Sequence, residues 1–303
     1  MIKFFHCAGS TGIALSLAVL IAPSSLGLSL RDDVALSNYE ALVNSAPYSA
    51  SGQFNSNQSG TLIAPNWVLG AAHPGSAATF TASDGSVANI KRRIVFPGDN
   101  SAINAFDGND FALFELSSSI TTVAAATLHD PDATGVSYTD LLGGLGGLTA
   151  VYGGAGETGT GNVGVAQSVT GTRDILAGTN VIDTVGATLN SVSVSNVVLS
   201  DFDAPSTAGL PSGATDLEVG LVVRDSGGGL WVDLDDGQGP VLIGVHSGAT
   251  DPDQNGVLGE YGHQNISTVL TPEAYDWIIA TVPEPSSLAL LFAGGLMVIR
   301  RRR

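Results

Sequence analysis

The sequence predicts an all-β fold of the sandwich or barrel type, and three observations support this. The 303 residues include 39 glycines and 13 prolines without a three-residue period, which is typical of a turn-rich β protein. Between residues 31 and 281, short apolar or β-branched runs such as 61–69 and 111–116 are separated by clusters of Gly, Asn, Asp and Ser. This stretch of about 250 residues is long enough for two barrels.

Two further segments complete the predicted organisation of the middle of the chain. A short C-terminal helix is expected at residues 272–280, because Pro272 and Glu273 suit the first turn of a helix. The glycine-rich string at residues 141–164 is interpreted as a flexible connection between two barrels.

Composition excludes several classes of protein. An apolar share of 44% excludes a disordered chain, which needs low hydrophobicity together with high charge. Long heptads are absent, so a coiled coil is excluded. The 28 acidic residues outnumber the 11 basic residues, for a net charge of −17. A nucleic-acid partner is not expected, because such proteins present a basic face to phosphates.

The first 29 residues are predicted to be a signal peptide. Lys3 precedes an apolar run at residues 13–22, which is short for a membrane span and is followed by small residues. Cleavage is expected near residues 27–29, although no clear Ala-x-Ala site is present, and a buried N-terminal helix is the alternative. The single cysteine, Cys7, lies in this segment, so the mature core must be held together by packing or bound ions.

The last 22 residues, 282–303, have three parts in a fixed order. Pro283-Glu284-Pro285 is followed by an apolar stretch at residues 288–299 and then by four arginines at 300–303. The apolar stretch is marginal for a stable membrane span, and the arginines favour the cytoplasmic side. This tail resembles the PEP-CTERM sorting signal of Gram-negative bacteria. The resemblance implies a transient inner-membrane anchor, processing by an exosortase, and export to the cell surface or extracellular matrix.

Three separated strings carry candidate catalytic chemistry. They are residues 59–73, which end at His73, residues 109–116, which contain Asp110, and residues 224–230, which contain Ser226. Each has a plain structural alternative: a turn histidine, a carboxylate at a strand edge, and a serine in a glycine turn. Together, in the order His, Asp, Ser, they resemble the chymotrypsin/trypsin family of serine proteases over most of residues 50–280.

The resemblance implies a serine endopeptidase domain at residues 30–281. Its expected fold is two six-stranded antiparallel β-barrels with the active site between them, its substrate is a protein or peptide, and no cofactor is required. A serine hydroxyl is a weak nucleophile, so a neutral imidazole must remove its proton during attack and return it to the leaving amine. His73 is assigned this role, Asp110 fixes the imidazole tautomer, and Ser226 forms the acyl-enzyme.

Position 224 departs from the family pattern. The family binds the oxyanion with two backbone N–H groups, which correspond here to Arg224 and Ser226, and it has glycine at the first of these positions. An arginine resists backbone conformations that glycine accepts, so a distorted or inactive site is one alternative, and an arginine side chain lying over the substrate is another. Asp225 corresponds to the acid that receives the new N-terminal ammonium when a family zymogen is cut. No Ile-Val-Gly-Gly-like activation sequence is present.

Two other classes of function stand beside the protease. One is a catalytically inactive trypsin fold that acts as a surface or matrix binding protein, favoured by Arg224 and by the missing activation sequence. The other is a purely structural matrix domain with chance motifs, which three ordered matches disfavour.

Substrate contacts are predicted at Gly220, His246, Ser247 and Gly248. Gly220 stands six residues before the serine, where no carboxylate is available for a basic substrate side chain. His246 resembles the histidine of glutamyl endopeptidases of this fold, which implies an acidic preference, and a structural histidine packed behind the pocket is the alternative. Ser247 matches the position that supports the triad and substrate.

Acidic loops raise the question of metal binding. Asp251, Asp253 and Asn255 match the first half of a calcium loop, but Gly262 stands where a bidentate glutamate is expected, and Glu260 comes two residues early. Two interpretations remain open, a solvated acidic turn and a calcium site.

Overall fold

The computed structural model describes residues 25–283, except 57, 99–105, 131–135, 158, 166–172, 190–191 and 210–212. The described chain begins with two short strands, β1 (Ser25–Leu26) and β2 (Ser29–Leu30), followed by helix α1 (Leu36–Val43). Leu28 and Ser29 are fully buried, so this segment belongs to the packed domain. It lies partly within residues 1–29, which the sequence predicted to be a signal peptide.

The first half of the domain is a closed six-stranded barrel. Its strands are β3 (Ser51–Phe54), β4 (Gln58–Ala64), β5 (Trp67–Gly70), β6 (Thr79–Ala82), β7 (Val87–Val95) and β8 (Ala112–Leu116). They follow the spatial order β3-β4-β5-β8-β7-β6, and each neighbouring pair is antiparallel. The interior is aromatic: the Phe54 ring lies 4.3 Å from Phe114 and 5.3 Å from Phe80, centroid to centroid.

The second half is built on a large antiparallel sheet. Its elements are α2 (Tyr138–Gly144), β9 (Thr149–Gly154), β10 (Gly159–Thr160), β11 (Arg173–Asp174), β12 (Leu176–Val181), β13 (Thr184–Leu189), β14 (Val192–Asp201), β15 (Val219–Gly220), β16 (Gly229–Val232), β17 (Val241–Ala249), β18 (Gln264–Val269) and α3 (Pro272–Thr281). Seven strands follow the order β12-β9-β16-β17-β18-β14-β13. The predicted double-barrel architecture is confirmed, but this half has seven strands in its main sheet where six were expected, because the β13–β14 hairpin extends it.

The N-terminal segment pairs with strands of the second half. Strand β1 pairs in parallel with β11, and β2 lies between β10 and β15. The chain therefore enters the domain beside β15, the strand that precedes the turn of the candidate nucleophile, Ser226.

The glycine-rich string at residues 141–164 is not a flexible connection, so that interpretation is wrong. It contains α2 and β9, and β9 pairs with both β12 and β16 inside the sheet. Two of its glycines are needed for close packing: a Cβ at Gly153 would collide with Ser51 and lie 2.9 Å from the Trp231 ring, and a Cβ at Gly154 would collide with Asp225. The string has the composition of a linker because strand β9 lies too close to its neighbours at Gly153 and Gly154 for side chains to fit at those two positions.

Helix α3 confirms the expected C-terminal helix. Thr271 caps it by accepting a hydrogen bond from the backbone N–H of Ala274 at 3.2 Å. Trp277 packs edge-on against Phe96, 5.4 Å between centroids, so the helix rests on the first barrel. Within residues 25–283 as described, no helix is both long and apolar enough to cross a membrane. The predicted anchor at residues 288–299 lies outside the described residues.

Candidate active site

Strand pairing in the first barrel brings His73 and Asp110 together. Strands β5 and β8 are antiparallel, with Gly70 opposite Ala112. The chain that leaves β5 therefore meets the chain that enters β8 at the same edge of the barrel. His73 comes three residues after Gly70, and Asp110 comes two residues before Ala112.

Asp110 makes three short contacts, one to the His73 imidazole and two to the backbone beside it. One carboxylate oxygen, Oδ2, lies 2.7 Å from His73 Nδ1, and the other, Oδ1, accepts hydrogen bonds at 2.8 Å from the backbone N–H groups of Ala72 and His73. Asp110 is fully buried, whereas the His73 side chain is about a quarter exposed. Because a carboxylate only accepts hydrogen bonds, Nδ1 must carry the proton, and Nε2 of neutral His73 is left as a base.

Ser226 lies in a tight turn that precedes β16. Its carbonyl accepts a hydrogen bond at 3.1 Å from the backbone N–H of Ser59 in β4, which fixes the turn against the first barrel. Gly227 has φ +89°, and a Cβ there would lie 2.5 Å from the carbonyl oxygen of Ser59. Ser226 and His73 line the same cavity, whose volume is about 380 Å³. His73 and Ser226 therefore line one cleft between the two halves, and the buried Asp110 lies behind His73.

The turn leaves two backbone N–H groups unused. Asp225, Gly227 and Gly228 donate their backbone N–H groups to carbonyls of the protein. By contrast, no acceptor within the described part of the chain takes the N–H of Arg224 or of Ser226. These are the two donors that the sequence assigned to the oxyanion.

Comparison with known proteins was informative at the level of families. A family model described as Trypsin matches residues 36–269, and a model described as PEP-CTERM protein-sorting motif matches residues 281–303. The first match covers more than half of the chain. The chain belongs to the trypsin family. No curated protein matches it.

This trypsin-family domain accommodates arginine at position 224 by adopting the backbone conformation of a glycine. Arg224 has φ +81°, in the left-handed region that non-glycine residues rarely enter. Its guanidinium Nη1 lies 3.3 Å from a carboxylate oxygen of Glu157, a residue that is 4% exposed. Its carbonyl accepts a hydrogen bond at 3.2 Å from Ser59 Oγ. One contact fixes the side chain of this strained residue and the other fixes its backbone carbonyl.

Asp225 is buried beneath the same turn. Its Oδ1 accepts a hydrogen bond at 2.7 Å from the N–H of Gly156, its Oδ2 accepts one at 2.9 Å from the N–H of Val222, and the N–H of Leu28 donates a third. Burial raises the pKa of this carboxyl to about 7. Among the residues described, no cation is paired with it.

Of the four residues predicted to contact substrate, Gly248 is the one that lines the cavity within the described chain. His246 is fully buried, its ring stacks on Tyr152 at 5.0 Å, and its Nδ1 lies 2.9 Å from Ser267 Oγ. Burial lowers the pKa of His246 to about 3, so it stays neutral at ordinary pH. The interpretation of His246 as a partner for an acidic substrate side chain does not fit this position, and the structural alternative does.

Gly220 and Ser247 also lie behind the cavity wall. A Cβ at Gly220 would meet the Phe202 ring at 2.7 Å, and Ser247 Oγ lies 2.9 Å from Thr268 Oγ1. The cavity instead has an apolar rim that the sequence analysis missed, formed by Phe106, Val222, Val223 and Leu258. No local motif marks these residues, because they come from three separate segments.

The residues predicted as a possible calcium site, Asp251, Asp253 and Asn255, lie in the loop that joins β17 to β18. His263 of that loop approaches both aspartates, and Glu260 approaches His263. Leu258 of the same loop lines the active-site cavity.

Proposed function

We propose that this chain is an exported serine endopeptidase. The observation that carries the proposal is the fully buried Asp110, which accepts from His73 Nδ1 at 2.7 Å and so presents Nε2 as a base in the cavity that Ser226 lines. The unused N–H groups of Arg224 and Ser226 lie in the turn that carries the nucleophile.

In the proposed reaction, Ser226 Oγ attacks the carbonyl carbon of the peptide bond as His73 Nε2 takes the hydroxyl proton. The carbonyl oxygen becomes an oxyanion and accepts hydrogen bonds from the two unused N–H groups. The imidazolium, stabilised by Asp110, gives its proton to the departing amine, which leaves an acyl-enzyme. Water then attacks the acyl carbonyl in the same way, with His73 as the base, and the acid product and free Ser226 are released.

The apolar rim supports a preference for an uncharged substrate side chain. Val222, Val223 and Leu258 line the cavity, and the nearest cation, Arg224, is paired with Glu157 at 3.3 Å. A peptide library with a single varied side chain tests this preference. Strong selection for acidic or basic side chains would contradict it.

We propose that the mature chain begins at Leu28, two residues before the boundary expected from the sequence. Ser25 and Gly27 give the small-x-small spacing that signal peptidases recognise. The N–H of Leu28 is already hydrogen-bonded to Asp225, so cleavage after Gly27 would place an α-ammonium beside that buried carboxylate. In this proposal, removal of the signal peptide is also the step that completes the active site.

The PEP-CTERM motif supports sorting of the exported protein by an exosortase, and we propose that residues 282–303 are its recognition tail and transient anchor. The tail follows directly after α3 on the first barrel. Deletion of residues 282–303 should leave export intact and abolish retention at the cell envelope.

Labelling with a fluorophosphonate probe tests the protease proposal directly. The exported protein should be labelled, and Ser226→Ala should abolish the signal. Arg224→Gly separates the two remaining accounts. A parent that stays unlabelled while Arg224→Gly labels would mean that residue 224 blocks the oxyanion site, and absence of labelling in both would favour a binding role for this trypsin fold.

A further inference from the structure

The loop between β17 and β18 gathers three potential metal ligands, Asp251, Asp253 and His263, at one point, and the carboxylate of Glu260 lies beside His263. His263 Nε2 lies 3.5 Å from Asp253 Oδ1, 3.9 Å from Glu260 Oε2 and 4.0 Å from Asp251 Oδ1. The ligand atoms of Asp251, Asp253 and His263 all lie within 4.8 Å of one another. Sequence spacing had indicated the aspartates and Glu260, but it could not show that the chain returns to place His263 against the aspartates.

His263 is the observation that distinguishes this cluster from a solvated acidic turn. The residue is 5% exposed, its Nδ1 is buried without a hydrogen-bond partner within the described chain, and its Nε2 faces the three carboxylates at distances of 3.5–4.0 Å. Asp251 Oδ1, which faces the same point, is also buried without a hydrogen-bond donor. Buried polar atoms are nearly always paired, so a buried imidazole and a buried carboxylate oxygen that face one another without a hydrogen bond point to a missing partner.

The distances fit a cation between the groups better than a direct hydrogen bond. An N–H···O bond would bring nitrogen and oxygen to about 2.7–3.2 Å, and none of the three contacts is that short. Tetrahedral Zn²⁺ holds nitrogen and oxygen ligands at about 2.0–2.2 Å, which leaves those ligands roughly 3.3–3.6 Å apart. A small inward movement of Glu260 and Asp251 would meet that spacing.

The remaining oxygens of the cluster are already used by the loop itself. Asp251 Oδ2 accepts from the N–H of Gly256 at 2.8 Å, and Asp253 Oδ2 accepts from Asn255 Nδ2 at 2.9 Å. Asn255 Nδ2 also donates to Glu260 Oε2 at 2.6 Å, while Asn255 Oδ1 accepts from the N–H of Val257 at 2.7 Å. Asn255 therefore orients the carboxylates and is not itself a ligand. Asp251 Oδ1 is left facing His263 without a donor, and Asp253 Oδ1, which also faces His263, accepts only a long hydrogen bond of 3.4 Å from the backbone N–H of Asn255.

We propose that Asp251, Asp253, Glu260 and His263 form a zinc site. Calcium takes oxygen ligands, whereas an imidazole nitrogen with carboxylates suits zinc and neighbouring transition metals. The assignment replaces the calcium interpretation of Asp251, Asp253 and Asn255. It does not depend on catalysis by Ser226.

The site would brace the wall of the active-site cavity. Leu258, within the ligand loop, lines that cavity, and the carbonyl of the adjacent Gly259 accepts a hydrogen bond at 2.5 Å from Ser29 Oγ in β2. Zinc at the loop therefore stiffens both the cavity rim and the N-terminal segment. The sequence has no cysteine after Cys7, so the mature domain gains from such a crosslink.

Metal titration of the purified exported protein, stripped with EDTA, tests the proposal. We expect one Zn²⁺ per chain by elemental analysis, a rise in Tm with Zn²⁺ that exceeds that with equal Ca²⁺ or Mg²⁺, and the visible absorption bands of tetrahedral Co²⁺ after substitution. His263→Gln should abolish all three. His129→Gln is the matched control, because His129 is also a buried histidine without ring hydrogen bonds among the described residues and lies outside the cluster.

A second variant keeps the test valid if His263→Gln does not fold. Asp253 has a side chain that is 57% exposed, so Asp253→Asn should fold, and we expect it to weaken Zn²⁺ binding at least tenfold. Zinc binding that is unchanged in Asp253→Asn or in His263→Gln would overturn the proposal, since the ion would then be held elsewhere, for example at His73. Binding of Ca²⁺ without Zn²⁺, or of neither ion, would overturn it as well.

Discussion

The backbone N–H of Leu28 donates a hydrogen bond to the buried carboxylate of Asp225, directly beneath the turn that carries Ser226. Leu28 is fully buried and has φ +66°. The position of the nitrogen is therefore set before any cleavage takes place. Cutting the Gly27–Leu28 bond would convert an amide into an ammonium group at the same place.

The first prediction concerns this new terminus. A protein that begins at Leu28 should show an alkaline limb in its pH–rate profile above about pH 8, because an α-amino group paired with a carboxylate loses its proton there or higher. A protein that retains Gly27 should have a lower kcat and lack this limb. N-terminal sequencing of the exported protein and pH profiles of the two forms provide the measurement. Identical pH–rate profiles for the two forms would show that the α-ammonium of Leu28 has no role in activity.

The second prediction concerns the carboxylate that orients His73. Asp110→Asn should lower kcat on a peptide substrate by about 10⁴, because an amide can donate to Nδ1 and so favours the wrong imidazole tautomer. Asp84→Asn, which changes an exposed carboxylate in the β6–β7 hairpin, serves as the control and should leave kcat unchanged. If Asp110→Asn retained parental kcat, His73 would not be the base.

The third prediction is a pH dependence of stability that arises from Glu218. This residue is fully buried, its Oε2 accepts two hydrogen bonds from Thr215, and burial raises the pKa of its carboxyl to about 7 from 4.5. The folded state thus holds a proton that the unfolded state releases between those values. The corresponding stability is fully present below pH 4.5 and is lost as pH rises through 7.

Glu218→Gln should remove this dependence. Relative to the parent, the variant should gain on the order of 2 kcal/mol in free energy of unfolding between pH 5 and pH 8, because a neutral amide pays no charging penalty. Denaturant unfolding at both pH values measures it, with the helix α3 variant Glu273→Gln as a control for charge alone. A difference between Glu218→Gln and parent that stays constant with pH would show that Glu218 does not titrate in this range.

The family and the barrel architecture followed from residues close together in the sequence. The strings around His73, Asp110 and Ser226 keep their spacing because each spans a strand end or a tight turn, and strand pairs such as β5 and β8 then bring them together. What the sequence did not reveal depends on long-range packing. The burial of His246 on Tyr152 is set by strands far apart along the chain, and the approach of His263 to Asp251 is set by the path of the loop between β17 and β18.

The glycines of β9 also show that local sequence does not reveal long-range packing, here because it suggested flexibility where the chain is tightly packed. The local composition around Gly153 and Gly154 is that of a flexible linker. Both positions nevertheless require a residue without a Cβ, because Trp231 of β16 and Asp225 in the turn lie too close. Arg224 shows the same limit. An arginine at this position predicts a strained backbone, but the sequence does not reveal its partner, Glu157, which lies in a loop many residues earlier. Local propensity is overridden wherever the backbone must approach a buried group.

The last prediction tests that account of β9. Gly153→Ala should lower the free energy of unfolding by about 1–3 kcal/mol, because the added methyl group would overlap Ser51 and press on Trp231 in a packed interior. Gly143→Ala in helix α2 is the matched control: nothing lies within 4 Å of its Cβ position, and alanine favours a helix, so its stability should be equal or higher. Denaturant unfolding of the two variants provides the comparison. Equal behaviour would mean that β9 tolerates side chains, and that its glycines serve flexibility after all.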